Sequence, residues 1–315
     1  MSTLCEKGGG KDMTAITKRK QGELSGFSDR TSDIILIVFS VIILLIVAYP
    51  LYYVLVASLS DPYDVYAGKT FLLPSKFTFE GYKAVFAEPN IVRGYGNSIL
   101  YTVLGTIYSV ALIYLVGYPL SVPDLPGKKL ISIFFIITMY FGGGLIPTYL
   151  IVQKTGIMQT VWAMFLPGGV AVSNAIIARN YFENSIPGAL KEAASIDGAS
   201  HFRIFFSMII PLSTPILSVM VIFSMVAYWN EWFTALIYLT NEQAPLPLVL
   251  RNILIKSSAS ANQASMISGG YAELNKMTEM IKFASIIVAA APMLIAYHFV
   301  QKYFEKGLMA GAVKG

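Results

Sequence analysis

The sequence predicts an all-α polytopic membrane protein with six transmembrane helices, and three observations carry that prediction. Of the 315 residues, 55% are hydrophobic and only 13% are charged. The mean hydropathy of +0.62 is far from the balance of a soluble globular domain. Apolar segments recur at 34–57, 97–120, 130–151, 161–181, 212–238 and 280–300, each long enough for the roughly 20 residues that span a bilayer. The basic residues divide unevenly between the polar stretches, as the positive-inside rule requires of short loops.

Taken in order, residues 1–33 carry glycines, lysines and scattered acids without periodicity and read as a disordered cytosolic tail. The first apolar segment follows that tail without a small-residue cleavage site, so it is a retained span rather than a signal peptide. With both termini in the cytosol, the inward set includes Lys18, Arg19, Lys20, Lys128, Lys129, Arg179, Lys191 and Arg203, against Lys69, Lys76, Lys83, Arg93, Lys154 and Arg251 outside. The chain then divides into the tail 1–33, a first helix 34–57, an extracytoplasmic loop 58–96, a five-helix core 97–303 and a cytosolic tail 304–315. The core contains a polar loop at 185–210 and a second outside loop at 239–279. The outside loops hold Asp61-Pro62, Pro74, Pro245 and Pro247 with few continuous apolar runs, and are expected to form a small folded surface above the membrane. No internal repeat or inverted-repeat pattern is visible.

Several function classes are excluded. A net charge of +5, spread over tails and short loops, suits lipid orientation rather than nucleic acid. No phosphate-binding loop exists, since Gly10-Lys11 is followed by Asp12 and Gly127-Lys128 by Lys129; the chain carries no nucleotide site of that kind and implies no cofactor of its own. His201 and His298 are the only histidines, too few and too far apart for a zinc-protease motif. Cys5 lies in the polar tail and forms no internal disulfide.

The stretch 187–215 departs from the apolar pattern. Ser185 and Pro187 suit a helix start. Leu190, Ala193, Ala194 and Asp197 fall near one face at three-to-four spacing. Gly198 can take the left-handed conformation that ends a helix. Phe202, Phe205 and Phe206 then predict the apolar side of a second amphipathic piece, and Pro211 and Pro215 sit where a new membrane helix would begin. By its residues alone, the stretch is either a docking surface for another protein or an interfacial helix on lipid headgroups.

The spacing Glu192-Ala193-Ala194, three residues, Gly198, then an apolar stretch ending in Pro211 resembles the cytoplasmic coupling loop of bacterial ABC-importer permeases. Four further stretches resemble the carbohydrate-importer permeases of the maltose-transporter type, MalG-like and closest to the LplC-like branch: Gly117-Tyr118-Pro119-Leu120-Ser121 through Pro126-Gly127, Phe141 through Pro147-Thr148-Tyr149, Trp229-Asn230-Glu231-Trp232-Phe233, and 306–315. The two departures, Met208 and Ile210, conserve volume and apolarity.

That resemblance implies an ABC type I importer permease fold with a cytoplasmic coupling helix, in a bacterial cytoplasmic membrane. It implies a heterodimer with a second homologous permease, two ATP-binding subunits that hold ATP and Mg and do the hydrolysis, and an extracytoplasmic binding protein that delivers an oligosaccharide. Coupling to the ATPase would fall to Glu192, Ala193, Ala194, Asp197, Gly198, Ala199 and Phe202. Gly311, Ala312, Val313, Lys314 and Gly315 would reach the ATPases from the C-terminal tail. The same fold could carry a non-sugar solute such as a peptide; a membrane glycan-modifying enzyme would need clustered acids or histidines that the sequence lacks.

Candidates for the substrate path are Asn174, Tyr228, Trp229, Asn230, Glu231 and Trp232. Aromatic faces stack on sugar rings, and polar groups match hydroxyls. An acid within a span is a functional candidate, but Glu231 lies about 30 Å of helical rise beyond Pro211, so an interfacial aromatic belt is the competing reading. Ser173 and Asn174 either line the path or bond neighbouring helices. Tyr101 and Tyr108 share a face that suits packing. Gly142, Gly143 and Gly144 before Pro147 make either a gate or a tight helix crossing.

Overall fold

The computed structural model describes residues 25–264 and 281–298, the side chains of 25–31, Tyr66 and 257–264 apart. Helices dominate, and among the described residues the one strand-like pairing is an isolated bridge between Ser60 and Phe77.

Helix α1 (Ser25–Ser58) begins within the stretch expected to be tail. Its apolar length stands away from the rest of the chain and meets it through the last turns, where Val56 and Ala57 are buried and Ser58 Oγ lies 2.8 Å from the Tyr82 hydroxyl. Helix α2 (Pro89–Ser121) is the axis of the fold. It starts at Pro89 rather than at 97, because a proline costs nothing in the first turn and Ile91 and Gly94 are already buried there. Two apolar clusters form around it. One includes Ile91, Tyr101, Phe165, Trp229 and Leu246; the other includes Ile113, Tyr114, Phe182, Phe205 and Met220.

Three described helices are each long and apolar enough to cross a membrane: Ser32–Ser58, Pro89–Ser121 and α9 (Ile281–His298). The other expected spans are interrupted. Helices α3 (Lys128–Tyr140) and α4 (Leu145–Lys154) replace a straight segment at 130–151 and bend by 112°, with Gly144 at φ +83° supplying the break. The fourth segment divides into Trp162–Phe165, a 3-10 turn at Leu166–Gly168, and α5 (Val172–Asn184). Pro167 prevents a continuous ladder there, and at Gly169 a Cβ would lie 2.6 Å from the Tyr108 ring.

Helix α6 (Gly188–Ile196) is the polar loop's own helix, and α7 (Thr214–Trp229) follows the segment His201–Leu212 across an 81° bend. The apolar run 212–238 is therefore not one helix: α7 ends at Trp229 and a short helix, Phe233–Tyr238, resumes after it. At the bend, fully buried Ser213 places its Oγ 3.1 Å from the Tyr114 hydroxyl of α2, so that polar groups freed by the break are satisfied across the helix pair.

The two loops expected outside the membrane contain helices. Residues 58–96 contain the short helices Pro62–Tyr66 and Glu80–Phe86. Within the loop expected at 239–279, Leu246–Ala264 forms helix α8. Pro247 occupies its first turn instead of interrupting it, and Leu246, Leu248, Val249 and Leu250 are buried. Gly94 lets α8 approach α2 so closely that a Cβ would meet Val249 Cγ2 at 3.1 Å and Leu246 Cα at 3.2 Å.

Candidate functional site

Two regions bring candidate residues together, one at each end of α7. The first is the polar loop. Helix α6 ends in a complete glycine turn: Gly198 has φ +75°, its N–H donates to Ser195 O at 3.1 Å, and Ala199 N–H donates to Ala194 O at 2.9 Å. This paired pattern satisfies the last carbonyls of the helix. Ser200 Oγ then accepts from Arg203 N–H at 3.3 Å and starts the next helical turn. At the other end of α6 the expected cap is not made. Pro187 takes the capping position without a side-chain acceptor, and Ser185 closes α5 instead.

The face expected to hold Leu190, Ala193, Ala194 and Asp197 divides. Ala194 turns partly inward against the second apolar cluster together with Ala199, whereas Leu190, Glu192, Ala193 and Asp197 are exposed. The three phenylalanines do not share a side either. Phe205 is buried beside Ile204, whereas Phe202 and Phe206, four residues apart and so on one side of the helix, are exposed; a π-helical turn runs over Phe205–Ile209. Phe202 is exposed, as are Glu192, Ala193 and Gly198 of the same loop. Ile196, 86% exposed, belongs to that surface and went unnoticed in the sequence, although a large aliphatic residue beside Asp197-Gly198 was its signal. The tail residues 311–315 lie outside the described residues.

Beside α6 lies an open cavity of about 700 Å³ bordered by Asp124, Lys128, Glu183, Lys191, Glu192 and His201, among others. Glu183 Oε1 accepts from Lys128 Nζ at 3.0 Å and from Arg179 Nε at 3.1 Å. Partial burial alone would raise its pKa, but these bonds and charges outweigh it and hold Glu183 below the ordinary carboxylate range. Lys191 donates to Phe182 O at 2.7 Å. Burial lowers its pKa from the usual lysine value, with Glu183 opposing the shift and Lys128 adding to it. None of these four charges was singled out as a group from the sequence, since they come from three separate segments.

The second region is a cavity of about 350 Å³ among α2, α5, α7 and the chain after α7, bordered by Ser109, Thr148, Asn174, Ser224, Tyr228, Glu231 and Thr234. It gathers three of the six path candidates, Asn174, Tyr228 and Glu231. The others are placed elsewhere: Trp229 is buried and donates from Nε1 to Ala289 O at 3.1 Å, Asn230 is exposed and donates to Val226 O at 2.9 Å, and Trp232 lies under the Arg251 guanidinium at 4.5 Å. Ser173 is exposed, away from the partly buried Asn174 beside it. Tyr101 packs edge-on to Phe165 and donates to Gln243 O at 2.9 Å, a packing role as expected.

Glu231 is not within a helix, as its position in an apolar run suggested. It sits in the gap after α7, where its Oε1 accepts from Thr234 N–H at 2.9 Å and caps the helix Phe233–Tyr238. A carboxylate there meets an orphan donor and a favourable helix dipole. Nearby, Ser224 Oγ is buried without a hydrogen-bond partner. The cavity thus presents hydroxyl, amide and carboxylate groups beside the Tyr228 ring, a combination suited to a polyhydroxylated ligand.

Comparison with known proteins decides the family. No protein-family model matches the chain. A polygalacturonan/rhamnogalacturonan transport system permease protein of Bacillus subtilis is 36% identical over 288 residues, covering 91% of this chain and 99% of the relative. The chain belongs to the carbohydrate ABC-transporter permeases. Protein LplC of Bacillus subtilis is 35% identical over 267 residues, covering 84% of this chain and 89% of the relative. A solved bacterial ABC transporter involved in import of the acidic polysaccharide alginate matches with a TM-score of 0.76 at 30% identity, over 89% of this chain and 98% of that one. The permease is therefore a multi-pass helical membrane subunit of a carbohydrate importer, a transporter component rather than an enzyme.

One prediction arises at the cavity. Glu231→Ala removes both the acid and the cap, and is expected to cost about 0.5–2 kcal/mol of local stability and to lower uptake. Glu231→Gln keeps an acceptor for Thr234 N–H and separates the two roles. Uptake is to be measured in proteoliposomes with the ATPase subunits assembled; unchanged uptake in both variants would remove Glu231 from the path.

Proposed function

We propose that this permease pairs with a second, homologous permease to form the path for an oligosaccharide, and that the pair rests on two ATPase subunits that bind ATP and Mg. An extracytoplasmic binding protein delivers the solute. Both termini are cytosolic in this reading, and the interrupted segments at 130–151, 161–181 and 212–238 complete six spans with the three continuous helices. The observation that carries the reading is the exposed surface of α6. Glu192, Ala193 and Ile196 of the helix and Asp197, Gly198 and Phe202 after it are exposed, while Lys191 fastens the helix to α5. Apolar side chains rimmed by charge are what a protein cleft, rather than bulk water, would cover. Residues 311–315 are proposed as a second ATPase contact on the resemblance alone.

The solute is proposed to be a uronate-containing oligosaccharide. The B. subtilis relative is named for polygalacturonan transport and the solved neighbour for import of an acidic polysaccharide. Ser109, Asn174, Ser224 and Tyr228 would serve sugar hydroxyls and a ring face. Glu231 would accept from sugar hydroxyls, and the lower uptake expected of Glu231→Ala follows from losing that acceptor.

Copurification of the tagged permease with its host's subunits, with Glu192→Ala alongside, tests the assembly. Recovery of an ATPase and a second permease, weakened in the variant, is expected; a permease that comes out alone would refute the reading. For the solute, the copurified or neighbouring binding protein is titrated with galacturonate oligomers and with maltodextrins. Preference for the galacturonates is expected, whereas a preference for the neutral glucan would keep the importer and discard the acidic solute.

A further inference from the structure

The polar contacts beneath α6 join three helices within two residues. Lys191 of α6 donates to the Phe182 carbonyl at 2.7 Å. The next residue, Glu183, holds Lys128 Nζ and Arg179 Nε on one carboxylate oxygen, at 3.0 Å and 3.1 Å. Lys128 is the first residue of α3, while Phe182 and Glu183 lie in the last turn of α5. Phe182 is fully buried, with its ring 5.1 Å from that of Tyr114, whose hydroxyl meets Ser213 at the bend before α7. A continuous set of contacts therefore runs from α6 to α5, and from there to α3 through the carboxylate and to α2 and α7 through the aromatic pair.

The remaining apolar hold on α6 is slight. Ala194 and Ala199 pack against the core only in part, and small methyl groups offer little resistance to sliding. A charge-assisted hydrogen bond is short, directional and about twice as strong as a neutral one, so it holds the two segments together when one of them moves. We propose that Lys191 and Glu183 are positioning residues that convert movement of α6 into movement of α5 and α3, and so set how tightly ATP hydrolysis is tied to transport. The proposal rests on the coupling reading above.

The test uses the whole importer in proteoliposomes, with its binding protein and galacturonate oligomers, or maltodextrin if the titration above selects it. Lys191→Met keeps the length and apolar stem but removes the donor, and Lys191→Arg restores a donor. Glu183→Gln keeps the shape but removes the charge that gathers Lys128 and Arg179. In Lys191→Met and Glu183→Gln, the ATPase subunits are expected to stay bound and to hydrolyse ATP, while solute moved per ATP falls by about tenfold, within the ordinary range of coupling between sites. Lys191→Arg should recover most of that ratio.

A merely structural role would lower hydrolysis and transport together and leave their ratio unchanged; that result overturns the proposal. So does loss of the ATPase from both Lys191→Met and Glu183→Gln, which would make the contacts part of assembly rather than of transmission. Failure of the unaltered permease to bring down an ATPase would instead refute the coupling reading itself, and the two failures are thereby distinguished.

Discussion

Gly198→Pro is expected to abolish uptake while leaving the permease in the membrane. Gly198 has φ +75°, whereas proline is locked near −65°, so the turn closing α6 cannot form around it. The substitution also removes the N–H that donates to Ser195 O at 3.1 Å. Helix α6 would fray, and the exposed positions from Glu192 to Phe202 would lose their fixed relation. Gly198→Ala separates the causes: a Cβ meets nothing within 4 Å, so only the left-handed backbone is penalised, by about 1–2 kcal/mol. Partial uptake is expected for alanine and none for proline, measured as solute accumulation in cells matched for permease level. Normal uptake by Gly198→Pro would refute the account of this loop.

Gly105→Leu is expected to have the largest effect on the folded membrane core. Gly105 is where α2 crosses α7, and a Cβ there would lie 2.7 Å from the Tyr228 ring, a separation that real contacts do not reach. Even Gly105→Ala must displace that ring, and overpacking of this kind costs about 1–3 kcal/mol. Leucine adds three more carbons to the same crossing, so the helices must separate. Because Tyr228 borders the cavity with Asn174 and Glu231, the alanine variant should change transport as well as stability. Thermal unfolding of the detergent-solubilised permease should show a lowered midpoint for alanine and no cooperative transition for leucine. An unchanged midpoint for both would mean that α2 and α7 do not pack through this glycine.

The glycine turn of α6 was legible because it depends on local rules. A short helix ended by a left-handed glycine leaves its mark on adjacent positions, whereas the serine cap sits at Ser200, not at the expected Ser185. Helix α8 was not legible. Pro245 and Pro247 were placed in a loop with few continuous apolar runs, and only the fold, with this stretch docked against α2 at Gly94, shows that they precede and open a helix. Glu231 was read within a span, but the chain leaves helical geometry at Asn230 and uses the carboxylate as a cap. Hydropathy averages over such a break, because the flanking residues stay apolar on both sides of it. Phe202, Phe205 and Phe206 were read on a shared apolar face, but only Phe205 is buried, because residues three and four apart span a wide arc of the helix and the sequence does not say where the buried centre of that arc lies.

By itself the sequence determined that this is a helical membrane protein, that its polar loop carries a helix closed at Gly198, and which importer group it resembles. Each of these follows from composition or from residues near one another along the chain. Only the tertiary structure decided that Asn174, Tyr228 and Glu231 share a cavity while Trp229, Asn230 and Trp232 do not, and that Lys128, Arg179, Glu183 and Lys191 meet under α6. The physical reason is that side chains from distant segments meet only after helices have crossed at their small residues. Those crossings depend on the shapes of both partners at once.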